Sequence, residues 1–219
     1  MEDLVKVSIL GLVTIVDADT DEVLVDTKNA IHFGNMSSVL ASALVGDDNS
    51  FITYMAFGNN GTAVSGSQIT YKPPRVSAVE NVGASLYSTT FVRKLTNEAS
   101  DTITPDYHAT VPLNQNSASY KDLVATCLLD IGDGNPSGQD VIDNATDNTS
   151  SFVFDEIAIY SGQPDALLGS STTDLPTISS FINDSGTKML THVIFHPVQK
   201  SQNRSLKITY TIRIQMGEL

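Results

Sequence analysis

His192 and His196 lie four residues apart, alternating with Val193 and Phe195. On a strand this spacing puts both rings on one face, where neutral imidazole can ligate a metal. No Cys or Glu accompanies them at a recognised ligand spacing, so two polar positions in an alternating strand account for them equally well. The Asp/Asn-rich stretch from Asp130 to Asp147 is a second candidate. Asp130, Asp133, Asp140 and Asp143 could hold a hard cation through carboxylate and carbonyl oxygens. The spacing departs from an EF-hand loop, no Glu closes it, and Asp and Asn are ordinary turn residues. Asp155 and Glu156 are adjacent, and in a regular strand they face opposite ways, which prevents these two alone from forming an acid/base pair. No nucleophile-elbow glycine pattern surrounds a Ser. Cys127 sits among Ala125, Thr126, Leu128 and Leu129 and reads as a small buried residue. A single thiol excludes a disulfide framework and a Cys-based zinc site. With no convergent catalytic set, the expectation is a non-enzymatic protein without a cofactor.

Composition narrows the partners. The chain has 219 residues, a net charge of −13 and 41% hydrophobic residues, so it can build a core but is poorly suited to wrapping nucleic acid. Arg75, Arg93, Lys94, Arg204, Lys207 and Arg213 are too scattered for a nucleic-acid patch. No stretch approaches the roughly 18 apolar residues of a membrane span, and the acidic Met1-Glu-Asp3 does not resemble a signal peptide. A protein made in a cytoplasm, with neither nucleic acid nor membrane as partner, is expected. The charge is uneven. Residues 122–187 carry 11 acids and no Lys or Arg, whereas residues 188–219 carry 5 bases and 1 acid. Either the acidic stretch is a solvated surface, or it faces a basic surface on a partner or on the next copy of the chain. On the second reading, Asp133, Asp140 and Asp143 supply the acidic contacts, and Lys200, Arg204 and Lys207 the basic edge.

These residues must be positioned by strands. Alternation marks a strand over 4–10, and a hairpin over 12–16 and 22–26 around an Asp17–Asp21 turn. The one helix is expected over 35–45, capped by Asn35 and stopped by Gly46, with Met36, Val39, Leu40, Ala43 and Leu44 on its apolar face. Its small, uncharged Ser37, Ser38 and Ser42 suggest cover on more than one side. A strand over 51–57 ends in the turn Gly58-Asn-Asn-Gly61, which needs positive φ and lacks the Lys-Ser/Thr of a phosphate loop. Further strands are expected over 86–95, 107–113, 122–130 and 152–160, with extended loops over 62–85, 131–150 and 161–187. Two strands close the pattern, 189–196, ended by Pro197, and 205–215. In the last, Leu206, Ile208, Tyr210, Ile212 and Ile214 point one way, and Lys207, Thr209, Thr211, Arg213 and Gln215 the other. The expected class is mainly β, an antiparallel β-sandwich with one short helix and long loops, as a single domain over 1–219.

Three segments carry a resemblance. Residues 29–61 read Asn-Ala-Ile-His-Phe-Gly-Asn-Met, a helix, then Ile52-Thr-Tyr-Met-Ala-Phe-Gly-Asn-Asn-Gly-Thr62. This resembles virion structural proteins of tailed bacteriophages, including the N-terminal domains of tail-collar fibre proteins, in which a small helix leads to a strand ending in "AFGNGGT" or "ALGDG". Phe154-Asp-Glu-Ile-Ala-Ile-Tyr160 is similar to a later strand written "FDEIGLY", and Leu190–Lys200 with Asn203-Arg-Ser205 and Thr209–Ile214 resembles the C-terminal hairpin of such proteins. The resemblance implies a virion component without catalytic residues, made in the host cytoplasm. It would self-assemble, often as a ring, with other virion proteins at the neck, collar, tail or baseplate. The alternative expectation is a carbohydrate- or host-surface-binding β-sandwich, with calcium held by the Asp/Asn stretch.

Overall fold

A computed structural model describes residues 5–96, 107–112, 119–130, 152–162, 186–201 and 203–218. The chain forms β1 (Val5–Asp17), β2 (Val23–Lys28), β3 (Ala30–Ile31) and α1 (Phe33–Leu44). There follow a 3-10 turn (Asp48–Ser50), β4 (Ile52–Gly58), β5 (Thr62–Ser65), β6 (Gln68–Tyr71), β7 (Thr89–Lys94) and β8 (Tyr107–Thr110). The remaining strands are β9 (Tyr120–Leu129), β10 (Phe152–Ser161), β11 (Lys188–Met189), β12 (Thr191–Lys200) and β13 (Leu206–Glu218). They make a mainly-β, sandwich-like fold of antiparallel sheets. One sheet has the order β2-β1-β13-β9-β8; the other has the order β3-β12-β10-β4-β7, with β11 also paired to β10. β5 and β6 form a separate hairpin.

The two sheets are linked at both corners. At one, Asn29 carries the chain from β2 into β3, and its N–H donates to the Gly11 carbonyl. At the other, Thr96, just past β7, bridges to His108 of β8. The alternation read in β13 holds: Leu206, Ile208, Tyr210 and Ile212 are buried, whereas Lys207 and Gln215 are exposed. These side chains share one core with Val13 and Ile15 of β1, Cys127 of β9, Phe57 of β4, Phe154 and Ile157 of β10, and Phe195 of β12. Edge-on aromatic contacts link Phe57 to Phe91 and Phe154, and Phe154 to Phe195, a geometry that adds to simple burial.

Several expectations need correction. The strand expected to break at Gly11 is continuous from Val5 to Asp17. Gly11 is there because the Asn29 side chain occupies the space of its missing Cβ, and Asn29 Nδ2 donates to Tyr210 Oη at 2.6 Å. α1 begins two residues before Asn35, and the cap is His32, whose Nδ1 accepts the Asn35 N–H. Asn35 is buried instead, donating from Nδ2 to the Met189 carbonyl. The expected loop over 62–85 contains the β5–β6 hairpin. The two C-terminal strands are not a hairpin, because β12 and β13 lie in different sheets. Pro197 lies inside β12, at an irregularity where Asp155 alone stands opposite Phe195, His196 and Pro197; a bulge tolerates the missing N–H. The loops expected over 131–150 and 161–187 fall almost wholly outside the described residues. The Asp17–Asp21 turn forms as read, with Asp17 Oδ1 accepting from the N–H groups of Asp19 and Thr20.

Candidate functional site: an apolar groove and a buried polar clamp

The bulge between β10 and β12 resets the face of the strand. Phe154 and Ile157 both lie in the inter-sheet core, three residues apart, so Asp155 and Glu156 are both turned away from it. This overturns the expectation of opposite faces. Asp155 grips the turn after β4: Oδ1 accepts from the N–H groups of Asn60 (3.1 Å) and Gly61 (2.9 Å), and Oδ2 from the N–H (2.7 Å) and hydroxyl of Thr62. Asn60 has the expected positive φ, +113°.

Glu156 grips a different segment, residues 72–88, which crosses the outer face of the second sheet. Its carboxylate accepts from the N–H groups of Tyr87 (3.0 Å) and Ser88 (2.9 Å) and contacts His192 Nε2 at 3.0 Å. His192 Nδ1 accepts the Arg75 N–H at 2.8 Å, so the ring proton is on Nε2 and donates to Glu156. Both side chains are completely buried. A Cβ at Gly58 would meet Glu156 Oε1 and the Ser88 carbonyl at 2.5 Å, so only glycine fits where the strand, the carboxylate and the segment converge. Beneath the segment, Leu86 packs with Tyr54, Ala56, Val92, Ala158, Tyr160 and Met189 in a second apolar cluster. The Glu156–His192 pair has the composition of an acid/base dyad, but its polar atoms are engaged within the chain. It is built to hold residues 72–88 in place.

His196, the other candidate ligand, is exposed beside Tyr71 Oη at 3.4 Å. Among the described residues, no group of three His, Cys, Asp or Glu is placed to hold a metal, and no helix is long and apolar enough to cross a membrane. Cys127 is buried.

The structure also shows what the C-terminal bases do. Asp133, Asp140 and Asp143 lie outside the described residues. Lys200, expected on an exposed basic edge, is fully buried, with Nζ donating to the Ser201 carbonyl at 2.9 Å. Arg204 Nε donates to Asp17 Oδ2 at 2.6 Å. Arg213 makes a two-pronged contact with Asp122, at 2.7 and 2.8 Å, and Lys188 pairs with Glu80 at 2.7 Å. Of the basic edge, only Lys207 is exposed. Opposite charges from distant parts of the sequence therefore meet within the one chain.

Hydrogen bonding from Arg204 and Arg213 holds the carboxyls of Asp17 and Asp122 below the ordinary carboxylate range. In both cases the unfolded chain takes up the proton first. Their contribution is thus complete above about pH 4 and is lost as pH falls through the lower folded-state range. We expect Asp17→Asn and Asp122→Asn to lower the thermal midpoint at pH 6, and the gap from the wild type to close on titration towards pH 2. A gap independent of pH would refute this assignment.

The remaining feature is a groove that nothing in the sequence singled out. α1 closes one end of the sandwich through Met36 and Val39, but the closure is incomplete. Between α1, residues 50–52, β8, β9 and β13 lies a cavity of about 440 Å3. Its walls include Met36, Leu40, Phe51, Val111, Leu123 and Ile214, and among the described residues none that lines it is charged. Gly46, at φ +77°, turns the chain sharply after α1. This leaves Leu44 and Val45 on the helix end 89% and 83% exposed, and Phe51 and Val111 are also exposed. Exposed apolar residues beside an open apolar cavity mark an interaction surface. Of the helix serines, Ser38 is engaged within the chain, its Oγ donating to Glu80 and accepting from Lys188, whereas Ser37 is exposed.

No protein-family model, no curated protein and no solved structure matches this chain.

Proposed function

We propose that this chain is a non-enzymatic structural subunit of a tailed-phage particle, an adaptor that self-associates as a ring at the neck or collar, tail or baseplate. The observation that carries self-association is the apolar groove with exposed Phe51 and Val111 in its wall, together with exposed Leu44 and Val45, which follow its wall residue Ala43. Copies of a −13 chain repel one another at their acidic surfaces, and a contact seated on this groove joins walls whose described residues carry no carboxylate. The phage reading is supported by the resemblance. Its "AFGNNGT" and "FDEIAIY" segments are neighbouring strands, and the Asp of the second holds the turn of the first. A head-to-tail contact between acidic and basic segments has less support, since Arg204 and Lys200 are engaged internally.

Native mass spectrometry and negative-stain microscopy of the wild type should show a closed oligomer. The double variant Leu44→Asp/Val45→Asp should be monomeric while keeping the far-ultraviolet circular dichroism of the wild type, and its thermal midpoint should no longer depend on protein concentration. Each buried aliphatic contributes about 1.5–3 kcal/mol, so their joint loss weakens association by roughly 100-fold or more. Lys207→Glu distinguishes the charge-based alternative: on the groove reading it leaves the oligomer intact at low salt. A wild type that stays monomeric at high concentration, or a double variant that assembles normally, overturns the proposal.

A further inference from the structure

Residues 72–88 are fastened by two buried histidines, each of which uses Nδ1 as an acceptor. His192 Nδ1 accepts from the Arg75 N–H at one end of the segment. His32 Nδ1 accepts from the Asn35 N–H at the head of α1, and its Nε2 donates to the Val82 carbonyl at 2.8 Å in the middle of the segment. Asn35 completes the fastening, with Oδ1 accepting the Asn81 N–H at 2.7 Å. Both histidines are completely buried.

An imidazolium has no acceptor nitrogen. If either ring took up a second proton, Nδ1–H would face a backbone N–H with nothing between them. Protonation and fastening therefore exclude each other. The groups around the rings set the balance. At His192, the Glu156 carboxylate from β10 favours an added charge. Arg75, whose guanidinium lies over the Tyr87 ring, opposes it, and Lys72 lies over the same ring. The Tyr87 ring itself is 6.0 Å from the imidazole. Tyr160, on the same strand as Glu156, is neutral, its hydroxyl pushed above its ordinary range by burial. At His32, the partners are the uncharged Asn35 amide and Val82 carbonyl, and the nearby ion pair Glu80–Lys188 joins the segment to β11.

We propose that residues 72–88 are an acid-released strap: mild acid protonates His32 and His192, frees the strap and uncovers the apolar sheet face formed by Tyr54, Ala56, Val92, Ala158, Tyr160 and Met189. The sign follows from proton counting. The strapped state binds one proton fewer on each ring than the released state, so lowering the pH favours release. Release leaves each ring free to take a second proton, so lowering the pH from 7.5 to 5 should favour release by about tenfold or more.

The test is hydrogen exchange on the wild-type protein, with rates corrected for their intrinsic pH dependence. Arg75, Asn81, Tyr87 and Ser88 amides should lose about tenfold or more in protection between pH 7.5 and 5, while β4 and β10 amides in the core keep theirs. His192→Gln retains a carbonyl acceptor and an N–H donor but does not titrate, so it should flatten the response at Arg75. Nitrogen-15 spectra of the histidines give a readout that needs no variant. Both should be neutral with the proton on Nε2 at pH 7.5. Strap protection that is constant over this range, loss of protection in strap and core alike, or a proton on Nδ1 of either ring at pH 7.5 overturns the proposal.

Discussion

Glu156→Ala should be among the most damaging single substitutions in the molecule, lowering the thermal midpoint by about 10 °C. The carboxylate is completely buried and receives three donors, the N–H groups of Tyr87 and Ser88 and the His192 ring. Its removal leaves all three without an acceptor in a site closed to water. Breaking a buried hydrogen-bonded pair in this way costs about 3–5 kcal/mol, and each kcal/mol shifts the midpoint by about 2–4 °C in a chain of this size. Glu156→Gln should cost less, because one oxygen still accepts while the new NH2 group faces a donor. Calorimetry at pH 7 checks both, and an Ala variant within 2 °C of the wild type would show that the clamp contributes little.

Asp155→Ala should cost about 2–3 kcal/mol through a different segment, because unsatisfied buried donors carry their own desolvation penalty. Three consecutive backbone N–H groups and one hydroxyl converge on this carboxylate, which is only 4% exposed. Without it, the 58–62 turn loses its common acceptor while the strap stays fastened. Limited proteolysis should therefore cut the Asp155→Ala protein first near residues 58–66 and the Glu156→Ala protein first within 72–88. The two segments also bond each other, Asn59 N–H to the Ser88 carbonyl and Lys72 N–H to the Gly61 carbonyl, so a double-mutant cycle should give a coupling energy of about 0.5 kcal/mol or more. Identical cleavage patterns would contradict this division of labour.

What the sequence revealed was what local pattern encodes. β13 was legible because a period-2 run holds from Leu206 through Gln215 with hardly a break, and the Asn60 turn because its residue types tolerate positive φ. The face of Asp155 and Glu156 was not legible. It depends on a bulge whose other half is Phe195–Pro197, some forty residues later. The internal partner of Arg204 was hidden for the same reason, since Asp17 lies in a segment that strand pairing brings alongside. His32 read as part of a motif and His192 as a potential ligand, but their roles are defined by the strap, and no periodicity marks an irregular segment. The groove was invisible because it belongs to no single element: a helix face, a turn and three strands each supply part of its wall.

The pairing of β1 with β13 runs in unbroken register from Val5 opposite Glu218 to Asp17 opposite Leu206. It joins residues about two hundred positions apart, so β1 cannot find this partner until the ribosome has produced residue 218. Until then an aliphatic strand has β2 alone as its neighbour, with an open hydrogen-bonding edge where β13 will dock. Long-range pairing of this kind slows folding and leaves the nascent chain open to intermolecular pairing. The first sheet should therefore close only once β13 has been made, and until then this chain most needs protection from other copies of itself.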